Sequence, residues 1–258
     1  MAYTTISPGQ ILGHAPNHDS RQFEVYLCRI DAMKDTRPSR PLLAASARSR
    51  AGVLLAGCAV LVVVLGVLFA HQSAADAFDR AVDAPVISWF AARDGLALRL
   101  AYPGTLLPAA TLSVIIAIAC LITRRLRGAV LAVAAVPVAV ELCEVLIKRL
   151  VHRTYIGQVV YPSGHTAAIF ALAATVTVLL LAPPRPAMPR WLRILILAVT
   201  YLTAGAVVIG VIAVRFHYFT DTVAGAAVGV GTVCGLALVL DLIPAVRASR
   251  IPCRSAAT

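Results

Sequence analysis

Two polar islands interrupt an otherwise apolar chain. The first brings Lys148, Arg149, His152 and Arg153, followed by Tyr161-Pro162-Ser163-Gly164-His165; the second brings Arg215, His217 and Asp221. These residue types suit a phosphate, which needs convergent donors, positive charge and backbone amides that can approach closely. Lys148 offers a point charge, Arg153 a planar fork, Ser163 a hydroxyl and Gly164 a backbone without a side chain in the way. The apolar run from Thr166 predicts a helix. Ser163 to His165 would then lie at its N-terminus, where free amides and the helix dipole favour an anion.

Cleaving a phosphoester also demands a nucleophile and an acid for the leaving group. His217 and Asp221 stand four apart, the spacing that lets a carboxylate meet an imidazole within one helical turn. Asp221 is expected to fix the tautomer of His217 and leave its other ring nitrogen free to attack phosphorus. His165 is left as the acid. Neither paired carboxylates nor a histidine-rich cage points to a metal, so the expected reaction is metal-independent and needs no cofactor.

The elements that must position these residues are membrane helices. Of 258 residues 60% are hydrophobic and 14% charged, with mean hydropathy +0.85, which is membrane-protein composition. The net charge of +11 sits in short clusters between apolar runs rather than in a stripe with interleaved aromatics, which sets aside nucleic acid as a partner. The cysteines at 28, 58, 120, 143, 234 and 253 form no Cys-x-x-Cys pair and read as small apolar side chains.

A spanning helix needs about 20 residues. Six runs qualify or come close: Ala51 to Ala70, Thr105 to Ile122, Ala129 to Ile147, Thr166 to Leu181, Ile194 to Val214 and Thr222 to Leu242. Gln72 to Ala101 is mixed, with Asp76, Asp79, Arg80, Asp83 and Arg93, and its periodicity suits short amphipathic helices at the interface. The expected fold is all-α: a polytopic six-helix membrane bundle over 51–243, with interfacial helices in its first extracytoplasmic loop. A polar, disordered tail is expected over 1–50 and a basic one over 244–258.

Short cytoplasmic loops carry the excess of Lys and Arg. The amino-terminal tail, the Arg124-Arg125-Leu126-Arg127 cluster, the loop from Arg185 to Arg193 and the carboxy-terminal tail fall on one side, which makes both termini cytoplasmic. Both islands then share the opposite, extracytoplasmic face. A missed or extra helix between them would separate them across the bilayer.

Pro162-Ser163-Gly164-His165, with Lys148 upstream and His217-x-x-x-Asp221 downstream, resembles the three-part signature of the type 2 phosphatidic acid phosphatase superfamily. The resemblance covers roughly Ala51 to Leu242. It implies a six-helix membrane phosphatase of lipid phosphates or pyrophosphates, placed in a bacterial cell membrane. Carried over, His217 resembles the nucleophile that forms a phosphohistidine, Asp221 its orienting partner and His165 the general acid. Lys148, Ser163 and Gly164 resemble the phosphate cradle. Where the family has an Arg-Pro pair after the lysine, this chain has Tyr155 and Ile156, with Arg153 the nearest replacement. Where it has an arginine six residues before the nucleophile, this chain has Val211, with Arg215 closer in.

Other readings stand beside this one. Lys148, Arg149 and Arg153 could anchor a helix end at the interface, and His217 with Asp221 could be a structural hydrogen bond at a helix start. Glu141 and Glu144 lie inside an apolar run, where carboxylates need a reason. Glu144 is one helical turn before Lys148 and suits an ion pair with it, while an ion path through a small transporter is the other explanation. A catalytically weak member that only binds lipid phosphate is a third reading. Hydrolysis of a lipid phosphomonoester or pyrophosphate, with the bilayer delivering the lipid, fits the islands together. Polyprenyl pyrophosphate, phosphatidate, phosphatidylglycerol phosphate and a lipid-linked sugar phosphate all suit such a site, and so does transfer to a hydroxyl acceptor.

Overall fold

A computed structural model describes residues 41–182 and 188–243. Of the tails expected over 1–50 and 244–258, residues 1–40 and 244–258 lie outside the described residues, as does Arg185. The fold is helical with almost no sheet. In chain order the helices are α1 (Ala45–Phe69), α2 (Ala77–Phe90), α3 (Asp94–Ala101), α4 (Leu106–Ile122), α5 (Leu126–Glu141), α6 (Lys148–Val151), α7 (Gly164–Leu181), α8 (Arg190–Ala213) and α9 (Phe219–Leu242). A 3-10 turn, Tyr102–Gly104, joins α3 to α4, and a π-helical turn, Leu142–Ile147, joins α5 to α6.

Among the described residues, five helical stretches are long and apolar enough to cross a membrane: Ala45–Phe69, Leu126–Val151, Gly164–Leu181, Arg190–Ala213 and Phe219–Leu242. The number becomes six if Asp94–Gly104 and Leu106–Ile122, bent by 42° at their junction, are one span. The bend follows from Tyr102-Pro103-Gly104, because proline cannot donate to the preceding turn and glycine is a poor helix former. The first helix starts at Ala45, earlier than its apolar run suggests. Asp241 explains this: its two carboxylate oxygens accept from the backbone amides of Leu42 (2.8 Å) and Leu43 (2.9 Å), so both leucines are buried against the far end of α9.

α7 and α9 form the middle of the bundle. They pack on each other, while α1 and α5 also pack on α9, and α5 and α8 on α7. Small residues make this possible, since close helix approach in a membrane depends on them. A Cβ at Gly229 would lie 2.5 Å from the Ala167 carbonyl oxygen, and one at Gly225 would collide with the Ser163 carbonyl oxygen. Gly210 plays the same part between α8 and α3, where a Cβ would lie 2.9 Å from the Ala97 carbonyl oxygen. The last helix is thereby pressed against the start of α7, where the first polar island ends.

Candidate active site

The site is assembled at one end of the bundle from the α6–α7 connection and the α8–α9 turn. Its α7 edge follows from local sequence. Ser163 is the N-cap of α7; its hydroxyl oxygen accepts from the Thr166 amide (3.3 Å) and the Thr166 hydroxyl (3.1 Å). Gly164 and His165 are the first residues of the helix. The backbone amide of Ser163 donates to the Asp221 carbonyl (3.0 Å), which ties this edge to α9.

Between α6 and α7 the chain makes a two-residue hairpin that sequence reasoning missed. Thr154–Tyr155 pairs with Gln158–Val159, and Ile156 and Gly157 turn the corner with φ of 48° and 76°. Positive φ at both corner residues marks the tight turn that matches strand twist, and the Ile156-Gly157 pair is its one sequence signal. Tyr155 and Ile156, which stand in place of an Arg-Pro pair, are therefore the last strand residue before the corner and the first residue of the corner. Tyr155 stacks on Tyr218 with ring centroids 4.4 Å apart.

The α8–α9 turn places the second island. The amides of Arg215 and Phe216 donate to the carbonyls of Ile212 and Val211, and Arg215 takes the left-handed conformation with φ 60°. This is a helix C-terminal motif that usually has glycine where Arg215 stands. Arg215 is exposed next to the site, while Val211 is fully buried in the core. His217 follows immediately and is buried, and α9 starts only at Phe219.

That starting point corrects the expected pairing of His217 with Asp221. The four-residue spacing brings side chains together only when both lie in one helix, and His217 lies before the N-cap Tyr218. Asp221 instead accepts from the Tyr218 amide through Oδ2 (3.0 Å) and from Arg153 Nη1 through Oδ1 (2.6 Å). His217 Nδ1 makes its hydrogen bond with the Val160 carbonyl oxygen at 2.9 Å. A carbonyl can only accept, so Nδ1 carries the proton and Nε2 presents a lone pair. Burial, then the neighbouring His165 and Lys148, lowers the His217 pKa to about 3, which keeps the ring neutral. The backbone of Val160 thus does what Asp221 was expected to do.

His165 faces this imidazole, with ring centroids 6.0 Å apart and planes at 64°. Lys148 lies at the rim, its Nζ 2.7 Å and 2.8 Å from the two carboxylate oxygens of Glu144, as the spacing of the two residues suggested.

Arg153 requires a second correction, because the structure places it in a buried ion-pair network instead of on the phosphate cradle. It is fully buried. Nη1 donates to Asp221 (2.6 Å) and to the Thr220 hydroxyl (2.7 Å), and Nη2 donates to Asp79 (2.5 Å). Its guanidinium lies between the rings of Phe69 and Tyr218, at 4.2 Å and 4.4 Å. Burial opposes the charge, but the Asp221 and Asp79 carboxylates outweigh it and raise the Arg153 pKa. Burial, then Tyr155, pushes the Tyr218 phenol up to about 12, so the ring over the guanidinium stays neutral.

Asp79 was not singled out by sequence reasoning. From α2 it accepts from the Thr220 amide (2.9 Å) and the Thr220 hydroxyl (3.0 Å) as well as from Arg153. It caps the start of α9 from a helix that lies 141 residues earlier. One turn later Asp83 is also buried, with Oδ1 unpartnered among the described residues. Burial, then the Asp79 charge, raises its pKa to about 7. Three aspartates in an amphipathic stretch, each repeating on one helical face, were the available signal.

The site-bearing part of the chain is similar to a known family. Residues 148–242 match the family model of the PAP2 superfamily. The match is consistent with the resemblance to the type 2 phosphatidic acid phosphatase superfamily. It starts at Lys148 and ends at the last residue of α9, so both polar islands fall inside the matched segment. No curated protein and no solved structure matches the chain. Among the described residues, no three His, Cys, Asp or Glu side chains converge as metal ligands.

Proposed function

We propose that the protein is a six-span integral membrane phosphatase that hydrolyses a lipid phosphomonoester or pyrophosphate through a phosphohistidine on His217. The observation that carries this reading is the His217 hydrogen bond to the Val160 carbonyl. It leaves Nε2 unprotonated in a neutral ring that faces His165. In the proposed reaction Nε2 attacks phosphorus, the bond to the leaving oxygen breaks, and His165 gives that oxygen its proton. His165 then takes a proton from water, the hydroxide attacks phosphorus, and the N–P bond breaks to release inorganic phosphate. Lys148 and the amides at the start of α7 stabilise the charge that develops on the phosphoryl oxygens. Ser163 shapes that helix start, Gly164 lets the phosphate approach, and Arg215 is the exposed cation that can reach over the rim. Asp221 and Arg153 position the α9 turn.

A lipid substrate is favoured by an apolar groove of about 440 Å³ between α1, α5 and α9. It is lined by Leu55, Val62, Leu142 and Leu236 and reaches Ile147, next to Lys148. Charge distribution favours cytoplasmic termini, an extracytoplasmic site, and α2 and α3 lying at the membrane surface. In this reading 51–243 is the membrane domain and the bilayer presents the substrate. The test is to trap the intermediate: brief incubation with a phosphate-labelled lipid, rapid quenching and mass spectrometry should find the label on His217. Label on another residue, or turnover with the His217 peptide never modified at any quench time, would overturn the mechanism.

A further inference from the structure

The lysine of the proposed cradle is already held by an anion from the chain itself. Glu144 places one carboxylate oxygen 2.7 Å and the other 2.8 Å from Lys148 Nζ. The same carboxylate lies against Gly164, where a Cβ would meet its Oε1 at 2.6 Å. It therefore touches both the ammonium and the open backbone face at the start of α7. A carboxylate and a phosphoryl group present similar oxygens to similar donors, so what favours one there favours the other.

We propose that Glu144 is a specificity-determining residue of the phosphate site: its carboxylate holds the place of a phosphoryl oxygen and limits how much negative charge the site accepts. The inference rests on the phosphatase reading above. Three further observations support it. The Glu144 side chain is 45% exposed while Lys148 is 17% exposed, so the carboxylate has open space to withdraw into while the lysine stays. Arg153, the other strong cation near α9, is committed to Asp79 and Asp221, so Lys148 carries much of the attraction and any anion that shares it matters. Glu144 also lies in the π-helical turn, a local irregularity that recurs at functional sites.

The opposite role is a purely structural one, in which Glu144 orients Lys148 for the substrate. The two roles predict opposite signs when the charge is removed. Binding of inorganic phosphate to the full-length protein in detergent should be measured by calorimetry at fixed pH and salt, beside Glu144→Gln and Glu144→Asp, with melting temperatures recorded for all three. An exposed pair contributes up to about 1 kcal/mol, or about fivefold in affinity. Glu144→Gln is expected to bind phosphate about fivefold more tightly, and Glu144→Asp, which keeps the charge, to stay within about twofold of wild type. Should the glutamine variant melt early, Glu144→Ala carries the same expectation. Equal or weaker phosphate binding by a folded, charge-removed variant would overturn the proposal and leave the phosphatase reading standing. Absence of phosphate binding by the wild type and every variant would overturn both.

Discussion

The Arg153 guanidinium and the Asp221 carboxylate meet at 2.6 Å with both side chains wholly removed from solvent. The Arg153–Asp79 pair, at 2.5 Å, is equally buried. One arginine thus joins the start of α9 to α2 and fixes the turn that holds His217.

Removing one member of such a network leaves a buried charge uncompensated, which costs about 3–5 kcal/mol. Arg153→Met should be the most damaging substitution, because it abandons two carboxylates. Asp221→Asn should cost less, since Asp79 still faces the arginine. Thermal melts in detergent should rank wild type above Asp221→Asn and Asp221→Asn above Arg153→Met, with activity lost in the same order.

Close packing between α7 and α9 makes a contrasting pair of glycine substitutions informative. A methyl group at Gly225 collides with the Ser163 carbonyl, whereas one at Gly205 meets nothing within 4 Å. Gly225→Ala should lose about 1–3 kcal/mol and most activity by pushing α9 off the cap of α7. Gly205→Ala should leave melting temperature and turnover at or slightly above wild type.

Arg215 holds a left-handed backbone that costs a non-glycine residue about 1 kcal/mol or more. Arg215→Gly should therefore raise the melting temperature slightly while weakening phosphate binding through loss of charge. Arg215→Ala should weaken binding equally without that gain in stability.

Two buried groups give pH dependences of opposite sign. His217 has a folded pKa lowered to about 3, so the unfolded chain binds its proton first and stability falls as pH drops from the ordinary histidine value towards 3. Asp83 has a folded pKa raised to about 7, so the folded chain holds its proton longer and stability falls as pH rises from the ordinary carboxylate value through 7. Asp83→Asn, which keeps the group neutral, should raise the melting temperature at pH 8 by a few degrees relative to wild type and change it little at pH 4. Melting curves at both pH values check this.

The sequence carries much of the frame but less of the site's wiring. α4, α7 and α9 are legible because their apolar runs are long and end at polar or turn-forming residues. The Glu144–Lys148 pair is legible because both residues lie on one continuous helical stretch. The His217–Asp221 expectation failed for a local reason: the helix starts two residues too late for the spacing to apply. Val160 could not be read at all, since it contributes a carbonyl that every residue has. Asp79 lies far from Thr220 in sequence, and only the packed bundle brings them to 2.9 Å. Arg153 looked like a ligand because it sits in a basic island, but two carboxylates and two aromatic rings take it into the interior.

His217 is the proposed nucleophile of a lipid phosphatase. Phosphate release by the detergent-purified protein should be measured over a panel of lipid phosphates and pyrophosphates, with His217→Ala beside the wild type and its fold checked by melting temperature. Release from at least one lipid by the wild type and none above background by a folded His217→Ala is the expected result. Wild-type rates of release by that variant would contradict it.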